Sequence, residues 1–166
     1  MKRILAALLL ATLLFCGCSD YKKLEFKGYD LKQIESPTFD RGKLNSKMCL
    51  VVDMNNPTSQ AVELLDLKAV VHKSTKDVFL TAEATSTASL AARSEEKVSI
   101  PLDVTIHNPL AAVLSLANLS DMTADLDMHV RKGARTNHIV KKNIPVKDLI
   151  EQAGKDGMSL IGAKKE

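Results

Sequence analysis

The sequence holds no tryptophan, only 2 tyrosines and only 4 phenylalanines in 166 residues. That leaves no aromatic platform on which nucleic-acid bases or sugars could stack. It holds no glycine-rich phosphate loop either, and no run of charge of one sign, since 23 Lys and Arg face 20 Asp and Glu. Cysteine is scarce: Cys16 and Cys18 stand together near the N-terminus and Cys49 stands alone. What is present is the composition of one folded domain, 45% hydrophobic and 26% charged. A domain of about 150 residues buries roughly 70% of its unfolded-chain surface, enough for a core without staples.

The hydrophobic residues include one long run. Met1, Lys2 and Arg3 give a short positive region, and Ile4 to Phe15 is an apolar run, with Thr12 its one polar residue, before Cys16, Gly17 and Cys18. This is the pattern of a secretory signal. A spanning helix needs about 20 apolar residues, and Ser19, Asp20, Tyr21, Lys22 and Lys23 are too polar to extend the run. Leu14-Phe15-Cys16-Gly17-Cys18-Ser19 resembles a bacterial lipobox, in which a small residue precedes the cysteine that is lipidated and becomes the new N-terminus. Gly17 before Cys18 makes Cys18 the expected lipidation site, with Cys16 the weaker alternative. Acyl chains contribute about 0.8 kcal/mol per buried methylene, so two or three of them hold a protein on its bilayer. The expected division is 1–17 signal peptide, 18–23 lipidated tether, 24–154 domain and 155–166 flexible tail.

Cleavage changes the charge. Loss of Lys2 and Arg3 takes the net charge from +3 to +1, and the remaining charges are interspersed, so no nucleic-acid partner is expected. Cys49 would be the last thiol beside the anchor, so no intramolecular disulfide is expected, and its run Met48-Cys49-Leu50-Val51-Val52 makes it a small buried apolar residue.

The rest of the chain alternates with the period of two that marks strands. Leu24 to Leu31 reads as an edge strand with a bulge at Gly28. Pro37 to Asn45 reads as a turn region. Lys47 to Met54 is apolar on both sides and suits the middle of a sheet. Val62 to His72 and Asp77 to Ser86 read as a hairpin around Lys73-Ser74-Thr75-Lys76, with Leu65, Leu67, Ala69 and Val71 on one apolar face and Val78, Leu80, Ala82 and Ala84 on the other. Val98 to Ile106 alternates without a miss. Met122 to Val130 does the same, and Thr136 to Ile144 is a looser final strand. Two places switch to helical spacing: Pro109 to Asn118, with Asn108 as N-cap, and Pro145 to Ala153 before Gly154. About seven strands and two short helices, without βαβ alternation, predict an all-β fold, an antiparallel β-sandwich. A small barrel is the alternative, and single-sided apolar strands favour two sheets face to face.

Leu50-Val51-Val52-Asp53-Met54-Asn55-Asn56-Pro57 matches Leu102-Asp103-Val104-Thr105-Ile106-His107-Asn108-Pro109 at an offset of 52. Each is a strand ending in Asn-Pro: Pro has no N–H to give a ladder, and Asn closes a turn with its side chain. Two such strands, with Ile100-Pro101-Leu102 leading into the second, resemble the water-stress and hypersensitive-response domain of the late-embryogenesis-abundant type 2 family. Thr58 stands where that family often has a second Asn. The resemblance implies an immunoglobulin-like or fibronectin-III-like sandwich and a non-enzymatic role linked to desiccation and stress. It transfers no catalytic residue, ligand or cofactor; Asn56, Pro57, Asn108 and Pro109 carry over as structural motif residues.

The search for chemistry in the residues is otherwise negative. His72, His107, His129 and His138 are far apart in sequence, and the first three fall on the polar sides of their strands, so they read as solvated surface groups; a zinc site would have to be assembled across strands. Ser94-Glu95-Glu96-Lys97 has the Ser-x-x-Lys spacing of a lysine-activated nucleophile, but it lies in a charged stretch that reads as a hairpin tip. Asp125 and Asp127 share one strand face, a pair that could share a proton or hold calcium, yet calcium takes six or more oxygens. Asn118-Leu119-Ser120 matches a glycosylation sequon that a bacterial lipoprotein would not use. No metal or cofactor set is expected. The expected function is that of a non-enzymatic, lipid-anchored envelope protein, at the outer membrane facing the periplasm, active in stress protection or binding. The alternative is an adaptor that joins an envelope protein partner through a sheet edge, and a third reading is a hydrolase built on Ser94 with Lys97 or on Asp125 with Asp127.

Overall fold

The computed structural model describes residues 23–73, 77–110 and 121–148. The signal region, Cys16, Cys18, nearly all of the tether, the 155–166 tail and the Asn118 sequon lie outside these residues. The described chain is all β, a single antiparallel sheet of nine strands. These are β1 (Glu25–Gln33), β2 (Thr38–Asp40), β3 (Lys43–Asn56), β4 (Val62–His72), β5 (Val78–Ala84), β6 (Ala88–Leu90), β7 (Ser94–Ile106), β8 (Thr123–Lys132) and β9 (Arg135–Pro145). The order across the sheet is β1-β3-β7-β5-β4-β8-β9, with β2 paired to β3 and β6 paired to β4.

Alternation explains which side of each strand is dry. Met48, Leu50, Val52 and Met54 of β3, Val98, Ile100, Leu102, Val104 and Ile106 of β7, and Ala124, Leu126, Met128 and Val130 of β8 are all buried. They join Leu64, Leu67, Ala69 and Val71 of β4 in one cluster. The apolar face of the sheet is buried, and no helix packs on it among the described residues.

The structure moves several elements from where the periodicity puts them. The 37–45 region is not only a turn: β2 and β3 form a hairpin around Arg41 and Gly42, both with positive φ. The three-residue strand β6 is too short for a period to show. Ser94 to Lys97 is the start of β7 rather than a hairpin tip. In β4 the ladder to β8 slips between Leu64 and Asp66, and this bulge turns Leu64 inward and leaves Leu65 half-buried. In β5 the ladder to β4 slips after Val71; Phe79 and Leu80 are both buried while Val78 is exposed. A bulge inserts one residue and so reverses the facing of everything beyond it. The bulge expected at Gly28 is present, in the edge strand β1. Neither expected helix is seen among the described residues: only 109–110, 121 and 146–148 have helical backbone, and most of both expected segments falls outside the description.

Candidate functional site

The outward faces of β4, β8 and β9 carry a row of histidines and carboxylates. In β8, Leu126 and Met128 point into the core, so Asp125, Asp127 and His129 point outward. The β8–β9 hairpin turns through Gly133, which takes φ +58°, and such a two-residue turn fixes the register. Counting back from that turn sets His138 directly opposite His129. Their rings stack with centroids 4.2 Å apart and planes within 8°.

Each imidazole has a carboxylate partner. On the other side of β8, the bulge in β4 places Asp66 opposite His129. Asp66 accepts from His129 Nδ1 through both oxygens, at 2.9 and 3.0 Å, and from its backbone N–H at 3.0 Å. His138 Nε2 lies 2.8 Å from Asp127 Oδ1. The ligand atoms of Asp127, His129 and His138 all lie within 4.8 Å of one another. A third pair, His72 Nε2 with Asp125 Oδ2 at 3.2 Å, lies further along the same face. Asp125 Oδ1 also accepts from the backbone N–H of Asn143 at 2.8 Å.

These contacts revise the reading of the individual residues. His129 and His138 are not isolated groups, and His72 is only 22% exposed in its side chain, with Nδ1 buried and without a hydrogen-bond partner. Asp125 and Asp127 do not act as a pair; each holds its own histidine. His107 stands apart, with Nε2 3.3 Å from the Thr81 hydroxyl, and burial, helped by the Lys43 charge, lowers its pKa from the ordinary histidine value. Ser94 and Lys97 fall on opposite faces of β7 because three residues is an odd step along a strand; the Ser94 hydroxyl lies 2.8 Å from the Ala91 carbonyl and 3.0 Å from Glu96 Oε1. Cys49 is half-buried on the outer face, opposite Lys32 and Pro101, rather than in the core.

The two Asn-Pro sequences have different surroundings. Asn56 is fully buried, the one buried polar residue among those described. Its amide donates to the carbonyls of Gln60 and Ala91, both at 2.9 Å, and its Oδ1 accepts from the Thr58 N–H at 3.1 Å and the Thr58 hydroxyl at 2.6 Å. Asn108 is exposed. The strands that carry the two sequences, β3 and β7, lie side by side and antiparallel, so the two Asn-Pro sequences stand at opposite ends of one ladder.

Spacing along the chain does not reveal the convergence of His129, His138, Asp127 and Asp66. A signal is there all the same: Asp127 and His129 alternate on one face, and a turn at Gly133 sets the register that brings His138 across.

No family model matches the chain. No curated protein matches it either. Among solved structures, an Archaeoglobus fulgidus protein shares 8% identity over 71% of this chain and 92% of its own, with a TM-score of 0.45. A Northeast Structural Genomics Consortium target shares 8% identity over 72% and 83%, with a TM-score of 0.38. The solution structure of a candidate late embryogenesis abundant protein shares 12% identity over 88% and 86%, with a TM-score of 0.25.

Proposed function

We propose that this chain is a lipid-anchored protein of the cell envelope, non-enzymatic, that acts as a stress-protective or binding module of the late-embryogenesis-abundant type 2 kind, with its nine-stranded sheet folded as an immunoglobulin-like or fibronectin-III-like sandwich. The observation that carries the reading is the apolar run ending in Cys16-Gly17-Cys18-Ser19, an export signal followed by a lipidation site at Cys18. The paired Asn-Pro strands support the domain type. An outer membrane location facing the periplasm belongs to the same proposal. The described residues contain no helix long and apolar enough to cross a membrane.

The test is labelling of cells with a clickable fatty acid, followed by membrane fractionation. Wild type and Cys16→Ala carry the label and sediment with membranes, while Cys18→Ala loses the label and leaves the membrane fraction. Label retained in Cys18→Ala removes the anchor from this reading.

A second reading has its own observation. The strands β1 and β9 end the sheet and pair on one side only among the described residues, and β9 is 11 residues long with Val140 exposed. A long edge strand is a template for an added strand, so an adaptor role in an envelope complex uses this edge. In-cell cross-linking distinguishes it: one stoichiometric partner, lost on Val140→Pro, is the adaptor result.

A further inference from the structure

We propose that Asp127, His129 and His138 form a binding site for a divalent first-row transition-metal ion, with Asp66 as the residue that orients His129. The proposal is independent of the anchor and of the stress reading. It replaces the expectation, drawn from spacing along the chain, that no metal set exists.

Three observations converge on it. The first is chemical: two imidazoles and one carboxylate make a borderline-soft N₂O set, which suits zinc, copper, nickel or iron rather than calcium or magnesium. The second is geometric. The three ligand atoms already lie within 4.8 Å of one another, and they sit on adjacent positions of two hydrogen-bonded strands, a rigid support. Tetrahedral coordination at bond lengths of about 2.1 Å needs ligand atoms about 3.4 Å apart. Side-chain rotation would have to open the 2.8 Å contact between His138 Nε2 and Asp127 Oδ1 slightly while it closes the wider separations and splays the two stacked rings toward one ion. His138 is half exposed, at 51% of its side chain, so solvent leaves it room to turn once its bond to Asp127 gives way to the ion.

The third observation concerns the shell behind the ligands. A metal-binding histidine characteristically donates its other ring N–H to a carboxylate, which fixes the tautomer and raises the basicity of the ligating nitrogen. Asp66 occupies that position on His129, gripping Nδ1 with both oxygens. With Nδ1–H donated to Asp66, the lone pair of the neutral ring is on Nε2. Asp66 reaches His129 only because of the bulge between Leu64 and Asp66.

The solvent side is open, with Asp127, His129 and His138 all at least partly exposed. An ion therefore has an entry path, and the site offers three protein ligands with the remaining positions left to water or a partner. Lys68, opposite Asp127 in the β4–β8 ladder, is neutralised by Glu83 at 2.6 Å, so it does not place an unmatched positive charge beside the ion.

The experiment is titration of Zn²⁺ into the detergent-solubilised full-length protein by calorimetry, repeated with Co²⁺ to read the ligand set from its visible spectrum. The expected result is one ion per chain, with a cobalt spectrum of nitrogen and oxygen ligation without thiolate. His129→Ala and His138→Ala abolish saturable binding, and His107→Ala and Cys49→Ser keep it. Asp66→Asn, which keeps the size of the side chain, weakens binding about 10-fold or more, the effect typical of an outer-shell partner. Far-UV circular dichroism identical to wild type shows that each variant is folded. Failure of Zn²⁺ to saturate at one site overturns the proposal, as does binding that survives loss of either histidine, or a thiolate band in the cobalt spectrum.

Discussion

The side-chain amide of Asn56 donates to the backbone carbonyl of Ala91 at 2.9 Å and so ties the end of β3 to the loop that leads into β7. The same side chain closes its own turn through Thr58 and Gln60, and the Thr58 carbonyl accepts from the Arg93 N–H at 3.0 Å. Two loops at one end of the sheet are held by one buried amide. Every donor and acceptor of that amide has a partner, the condition under which a buried polar group is stabilising.

Removal of this amide takes one bond from each of the Gln60 and Ala91 carbonyls, which keep the Thr58 and Ser94 hydroxyls, and leaves the Thr58 N–H unpaired. Asn56→Ala is therefore expected to cost about 2–4 kcal/mol. Asn56→Asp keeps the acceptor bonds, loses both donors and buries a charge, and is expected to cost at least as much. Asn108→Ala, at an exposed position in the matching sequence, is expected to cost less than about 1 kcal/mol. Urea unfolding of the three variants checks the contrast; equal losses at the two asparagines would show that the buried amide is not the tie.

The core has a narrow place. Ala69 and Ala82 are opposite each other in the β4–β5 ladder and fully buried, and Ala69 also faces Leu126 on β8. Ala82→Leu overfills this place and is expected to cost about 1–3 kcal/mol. Leu126→Ala empties it and is expected to cost about 2–5 kcal/mol. The double variant should lose less than the sum, because one change makes room for the other. Thermal unfolding of the two single variants and the double one reads the coupling directly.

Two glycines with positive φ differ in what a side chain would meet. A Cβ on Gly42 would touch nothing within 4 Å, whereas one on Gly133 would lie 3.1 Å from the side-chain amide of Gln60. Gly42→Ala is expected to cost about 1 kcal/mol, the backbone penalty of a left-handed residue. Gly133→Ala should cost more, and Gln60→Ala in the same chain should return it to the Gly42→Ala value. Chemical denaturation that shows no such rescue would assign the whole effect to the turn.

Burial lowers the pKa of His107, which fixes the sign of its pH effect. The unfolded chain binds the proton more tightly than the folded one, so the contribution of His107 is fully present above the ordinary histidine value of about 6.5 and is lost as pH falls below it. His107→Gln, which cannot charge, should flatten this part of the stability curve. Denaturant midpoints taken from neutral pH down to pH 5 for both proteins test it; identical slopes would show that His107 does not titrate differently in the two states.

Much of the fold is legible in the amino-acid sequence. The bounds of β4 coincide with the Val62 to His72 alternation, and Gly28 marks the bulge in β1. The three-residue strands β2 and β6 are not legible, since three residues complete barely one period of two. Counting by twos puts Leu65 on the wrong face, because a bulge is invisible to such a rule. At the candidate site the sequence supplies the residue types but not their meeting, which depends on strand register and on the displacement of Asp66 by that bulge. The repeat marks both asparagines; only packing decides that Asn56 is enclosed and Asn108 is not.

The ladders also set the order in which the molecule can assemble. The hairpins β4–β5 and β8–β9 join near neighbours in the chain, but β3 joins β7 across roughly fifty residues and β4 joins β8 across a similar span. Closing such distances costs chain entropy before any contact repays it, which places folding in the millisecond-to-second range of sheet proteins. Since the core cluster draws on strands from both halves of the chain, no half can assemble in advance of the other. Cutting the chain between β5 and β7 should leave two fragments that are each unstructured and recover the native sheet only together.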